Sequence, residues 1–88
     1  MLTIWKYQLE VVGTNTVQIP RGGRVLAVQT QRDIPCIWVL VDPDNSLEAW
    51  RFYVYGTGHE VLSDPDDYLG TVQVLNGRLV FHVFGRRE

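Results

Sequence analysis

The chain contains a single cysteine, Cys36, so no internal disulfide can form and a disulfide-stapled scaffold is excluded. Long apolar runs are also missing. The longest is around Cys36–Val41, against the ~20 residues that a membrane-spanning helix requires. No basic segment leading into an apolar stretch opens the chain, so a secretory signal is not expected. An excess of basic charge is lacking too: ten acidic and eight basic side chains leave a formal charge of -2. That balance argues against a general nucleic-acid coat. Repeats, low-complexity tracts and linkers are absent, and helical spacing of apolar residues is nearly so.

What is present is an ordinary apolar content, 45% of 88 residues, with three Trp, four Tyr and three Phe. This suits one small domain over residues 1–88, folded around a hydrophobic core without disulfides or a metal cluster. Apolar residues alternate with polar ones along nearly the whole chain. Trp5, Tyr7 and Leu9 mark a strand over about residues 3–9, and Thr16–Ile19 a short second one stopped by Pro20. Val25–Gln31 and Pro35–Val41 read as a meander. The second of these is apolar on both faces, so it is expected to be central and covered on each side. In the next segment Trp50, Phe52 and Val54 should face the core. Arg51, Tyr53 and Tyr55 should face solvent or a partner.

Tyr68–Leu75 and Arg78–Phe84 flank Asn76-Gly77, the preferred pair for a two-residue type I′ hairpin. That turn would place Val74 opposite Leu79, Val72 opposite Phe81, Thr71 opposite His82 and Leu69 opposite Phe84. The expected fold is all-β, a small antiparallel sandwich or partly open barrel of six to seven strands with a C-terminal hairpin. An α+β variant would put one short helix in residues 59–68, with Ser63 as its cap and Pro65 in its first turn.

Chemistry is sparse. The loop Gly56-Thr57-Gly58-His59 has two glycines that let successive N–H groups converge on an anion, and Thr57 and His59 offer side-chain hydrogen bonds. Arg51 and Tyr53, on the preceding strand, would complete a site for a phosphate or carboxylate. The competing interpretation is a plain glycine-rich turn, because no helix follows as in a phosphate-binding loop. His82 beside Thr71 invites a nucleophile-and-base pair, but no orienting carboxylate or nucleophile elbow accompanies it. Asp42, Asp44 and Ser46 begin like a calcium loop, yet Leu47 stands where glycine is needed and Tyr53 where a glutamate is. Asp64, Asp66 and Asp67 likewise lack a complete oxygen cage. Neither a metal nor a cofactor is therefore expected, and no residue is assigned a catalytic role. Cys36, inside an apolar run, packs as a small hydrophobe. Arg78, Arg86 and Arg87 gather around the last hairpin and Arg21 and Arg24 on another turn. One or two arginines and an aromatic platform suffice for a small phosphorylated ligand, whereas a nucleic-acid polymer is disfavoured by the acidic remainder.

Several strings are similar to a family of short phage and prophage proteins of unknown function. They are Ile4-Trp5-Lys6-Tyr7, Pro35-Cys36-Ile37-Trp38 with Leu40-Val41-Asp42-Pro43, Arg51-Phe52, Gly56-Thr57-Gly58-His59, Tyr68-Leu69-Gly70-Thr71-Val72-Gln73 and Leu79–Phe84. The resemblance implies a phage or prophage origin, a small β fold and action in the bacterial cytoplasm, with no reaction attached. The expected function is a non-catalytic binding protein, a counter-defence factor that sequesters a nucleotide-like or other phosphorylated signal or blocks a host protein. A virion or assembly component is the alternative, and a nucleotide-signal hydrolase ranks behind both. The aromatic surplus on both faces of several strands favours self-association, with a dimer as the default.

Overall fold

The computed structural model describes residues 1–11, 13–61 and 67–88. They form seven strands: β1 (Thr3–Gln8), β2 (Thr14–Pro20), β3 (Arg24–Gln31), β4 (Ile34–Val41), β5 (Leu47–Gly56), β6 (Tyr68–Val74) and β7 (Leu79–Arg87). No helix occurs among the described residues. The helical alternative for residues 59–68, with Ser63 and Pro65, falls largely outside them. The strands make two open antiparallel sheets, one ordered β1-β4-β3 and the other β2-β5-β7-β6. The principal extents of 40 × 29 × 16 Å suit two layers stacked about 10 Å apart. The sandwich is thus the form adopted, and the barrel is not closed.

Period-two alternation explains the core. Ile37, Val39 and Val41 of β4 point inward and share one buried cluster with Trp50, Phe52 and Val54 of β5, Val83 of β7, Ile19 and Leu9. Burying each such side chain contributes roughly 1.5–3 kcal/mol. The chain crosses between the sheets three times, and the β2–β3 and β4–β5 crossings are tied together. The Arg21 N–H donates to the Ser46 carbonyl (2.7 Å), and the Asn45 side-chain amide donates to the Arg21 carbonyl (2.9 Å). Asp42, read as the start of an incomplete calcium loop, instead accepts the Asp44 N–H at 3.0 Å and so closes its own turn.

Strand β4 is central, but it is covered on one side only. Ile37, Val39 and Val41 are fully buried, whereas Trp38 and Leu40 on the outer face are half-buried and Ile4 beside them is exposed. No described element of the chain lies over this face. Cys36 is nevertheless buried, with its thiol directed at the Ile34 carbonyl (3.4 Å), and on the same face the Lys6 ammonium of β1 hydrogen-bonds the Gln31 side chain of β3.

The C-terminal hairpin has the expected register from Gly70 to Val74, including Thr71 opposite His82 and Val74 opposite Leu79. Two details differ. Leu69 does not face Phe84: a bulge between Tyr68 and Gly70 puts Tyr68 there instead. Leu69 turns inward, toward the space left by the missing side chain of Gly85. The reversal also takes four residues rather than two, with Leu75, Asn76 and Gly77 all at positive φ. The Leu75 N–H has left the ladder and donates to the Asp33 carboxylate at 3.1 Å, joining this turn to the tip of the β3–β4 hairpin. A leucine at φ 53° costs about 1–2 kcal/mol, and glycine gives back roughly 0.5–1 of that as backbone entropy. Leu75→Gly is therefore expected to stabilise the domain by about 0.5–1 kcal/mol, read as a higher melting temperature by scanning fluorimetry.

Candidate functional site

Alternation along β5 sends Arg51, Tyr53 and Tyr55 to the outer face of the second sheet, opposite to Phe52. The register then brings β7 alongside, pairing Arg51 with Arg86, Tyr53 with Phe84 and Tyr55 with His82. The bulge in β6 adds Tyr68 to the same surface. Four rings are in continuous contact there. Tyr53 and Tyr55 stack at 6.5 Å with planes 7° apart, and Phe84 meets Tyr55 edge-on at 6.0 Å and Tyr68 at 5.6 Å. Tyr53, Tyr55 and Phe84 are half-buried and Tyr68 is exposed, so the rings fix one another while keeping surface open to solvent. Each contact of this kind is worth about 0.5–1.5 kcal/mol beyond area burial.

A chain of hydroxyls borders the rings. His82 Nε2 lies 2.7 Å from Thr57 Oγ1, and His82 Nδ1 lies 3.1 Å from Thr71 Oγ1, which in turn contacts the Tyr68 hydroxyl. In the neutral imidazole one nitrogen donates and the other accepts, and a hydroxyl can serve either role. The ring is thus held in place whichever nitrogen carries the proton. Among the described residues no carboxylate joins this chain, so the orienting acid of a catalytic triad is missing.

The residues proposed from sequence are divided by the structure. Gly56, Thr57, Gly58 and His59 form a turn in which Gly58 has φ +84°. Two of its N–H groups are engaged, Thr57 with the Val80 carbonyl (3.0 Å) and His59 with the Gly56 carbonyl (3.1 Å). The His59 ring lies over Gly56, where an added Cβ would come within 3.0 Å of it. Tyr53, Gly56 and His59 line a cleft of about 360 Å³ together with Tyr55 and Phe81. Thr57 lines a smaller hollow of about 210 Å³ beside Arg78. Arg51 lines neither. Its guanidinium is held protonated, with its pKa raised by the Tyr53 hydroxyl beside it and then by Glu88, with which it forms an ion pair.

The profile of a family described as "Domain of unknown function (DUF7352)" matches residues 1–88. The chain belongs to this family. No curated protein and no solved structure matches it. Because the DUF7352 family carries no assigned reaction, its membership leaves the site to be argued from side chains. Among the described residues, no three His, Cys, Asp or Glu side chains come close enough to hold a metal ion. No described helix is long and apolar enough to cross a membrane. Sequence reasoning missed Tyr55, Phe84 and Tyr68 as members of one surface. The spacing of Tyr53 and Tyr55 signals a shared face, but Tyr68 joins it only through the bulge.

Proposed function

We propose that this domain is a stoichiometric binding protein of phage or prophage origin, acting in the bacterial cytoplasm. It holds a planar, nucleotide-like ligand against the outer face of the second sheet and performs no chemistry on it. The observation that carries this reading is the mutually braced set of Tyr53, Tyr55, Phe84 and Tyr68 beside His82. Partly open rings on a rigid sheet suit stacking of a planar group, and hydroxyls and an imidazole at the border suit hydrogen bonding to its edge. The resemblance of its strings to short phage proteins suggests the origin, and sequestration of a host defence signal is a role that a non-catalytic binder of this size would fill.

Native mass spectrometry of the protein purified from its bacterial host tests the reading. A retained small molecule, released intact by heating and lost in Tyr53→Ala/Tyr55→Ala, is expected. Stacking contributes about 1–3 kcal/mol per base, so the double variant should bind at least tenfold more weakly. A released molecule of altered mass would point to the hydrolase instead. The bare chain mass for the native protein would sink the proposal.

A second reading, self-association, is favoured by the uncovered face of the first sheet. Trp38 and Leu40 are half-buried there, and Ile4 and Leu26 are 54% and 45% exposed. Among the described residues no strand pairs with the outer side of the β1 edge, which is free of proline, so a second copy can extend the sheet across it. A dimer mass by light scattering at tens of micromolar, reverting to monomer in Ile4→Asp, is the expected result.

A further inference from the structure

The alternation that builds the aromatic face also sets what borders it at the end away from His82. One step along the second sheet from Tyr53 and Phe84, the register lines up Thr16 of β2, Arg51 of β5 and Arg86 of β7. All three point outward with the rings, because each lies two positions from a residue of the ring row. Arg51 follows that rule from Tyr53, Arg86 from Phe84, and Thr16 from Thr14, the β2 partner of Tyr53. Two residues of strand rise roughly 6–7 Å, so a row of one hydroxyl and two guanidiniums runs beside the rings at that spacing. Thr16 and Arg86 are exposed and Arg51 is half-buried.

Two observations mark this row as a place for an anion. Arg51 and Arg86 are direct cross-strand partners, and like charges placed opposite each other destabilise a sheet unless a negative group offsets them. The protein supplies such a group itself. The Glu88 N–H donates to the Ala49 carbonyl (2.9 Å), which seats Glu88 one row further along, and its carboxylate forms an ion pair with Arg51. A carboxylate is thus already held at this position. Both side chains of the pair are partly open, at 43% and 34%, and exposed pairs of this kind are weak. The same guanidinium lies beside the Tyr53 hydroxyl, so the charged row and the ring platform touch.

We infer that Arg51, with Thr16 and Arg86 at its sides, forms the phosphate subsite of the aromatic face, so that the ligand of this face is a nucleoside 5′-phosphate. The base stacks on the rings, the ribose spans the step between the two rows, and phosphate oxygens accept from the Arg51 guanidinium and the Thr16 hydroxyl. A guanidinium presents paired N–H donors that match phosphate oxygens. Arg86 is engaged in a contact of its own and contributes positive charge. Glu88 fills the subsite in the free protein and yields to the phosphate, whose charge at neutral pH exceeds that of a carboxylate. The inference rests on the aromatic face being the binding surface.

The test is titration of the full chain with the common ribonucleosides and their 5′-monophosphates at low salt, followed by amide-resolved NMR. At least one monophosphate is expected to bind about tenfold more tightly than its own nucleoside, the usual scale of a charge-assisted hydrogen bond. Arg51→Gln should remove that difference and leave the nucleoside affinity unchanged. Glu88→Gln, which takes away the internal competitor, should tighten the monophosphate several-fold and the nucleoside not at all. Arg24→Gln, on the first sheet, should change neither. Amide spectra that match the wild type will separate lost binding from lost folding. Equal binding of nucleoside and monophosphate, both lost in Tyr53→Ala/Tyr55→Ala, would overturn the subsite and leave the aromatic face as the binding surface. A phosphate preference that survives Arg51→Gln would overturn the subsite as well. Binding of none of these compounds would sink the subsite together with the surface it rests on.

Discussion

Phe52→Ala is expected to lower the unfolding free energy by about 3–5 kcal/mol, the usual loss for truncating a buried aromatic. Phe52 is among the largest fully buried side chains, with 0% exposure. It stacks on Trp50 at 5.7 Å and 9° and sits in the middle of the cluster that joins both sheets. At roughly 0.05–0.15 kcal/mol per residue, a domain of this length has little stability to spare, so the variant should be largely unfolded at physiological temperature. Urea titration followed by tryptophan fluorescence will measure it. A midpoint near that of the wild type would mean that the sandwich interior is not where Phe52 sits.

Gly85→Ala is the second large effect, and it arises from the opposite fault. A Cβ at residue 85 would lie 2.4 Å from Phe52 Cδ1, 2.8 Å from Phe52 Cε1 and 3.1 Å from Leu69 Cδ1. These atoms cannot withdraw cheaply, because Phe52 is enclosed on all sides. Overpacking of this kind costs typically 1–3 kcal/mol, and here the upper end, about 3 kcal/mol, is expected. Melting temperature should fall by about 4–8 °C per kcal/mol in a domain this small. The two positions share one space, so their effects should not add. In a Phe52→Leu background the alanine at residue 85 should cost less than in the wild type. A double-mutant cycle with no coupling would contradict the contact.

Much of the architecture was legible because alternation is a local property. Trp50, Phe52 and Val54 face inward, and Arg51, Tyr53 and Tyr55 outward, as their spacing requires. The C-terminal register was legible as well, because the hairpin is short and its turn residues tolerate positive φ. The departures from it have tertiary causes. Asp33, more than forty positions upstream, takes the Leu75 N–H and opens the turn. Gly85 leaves a space that draws Leu69 inward and hands its position opposite Phe84 to Tyr68. The proposed loop site was legible only as a set of residue types. Which amides of residues 56–59 are engaged depends on Val80, a residue from another strand.

Amino-acid order alone therefore determined an all-β domain, its strand segments and the residues that share each face. It did so because a strand turns its side chains over every second residue, whatever lies around it. Tertiary structure decided which apolar face of β4 would be covered and how the aromatic rings would assemble. Those outcomes depend on which strands lie side by side across long stretches of chain, and spacing within one strand carries no record of its distant neighbours.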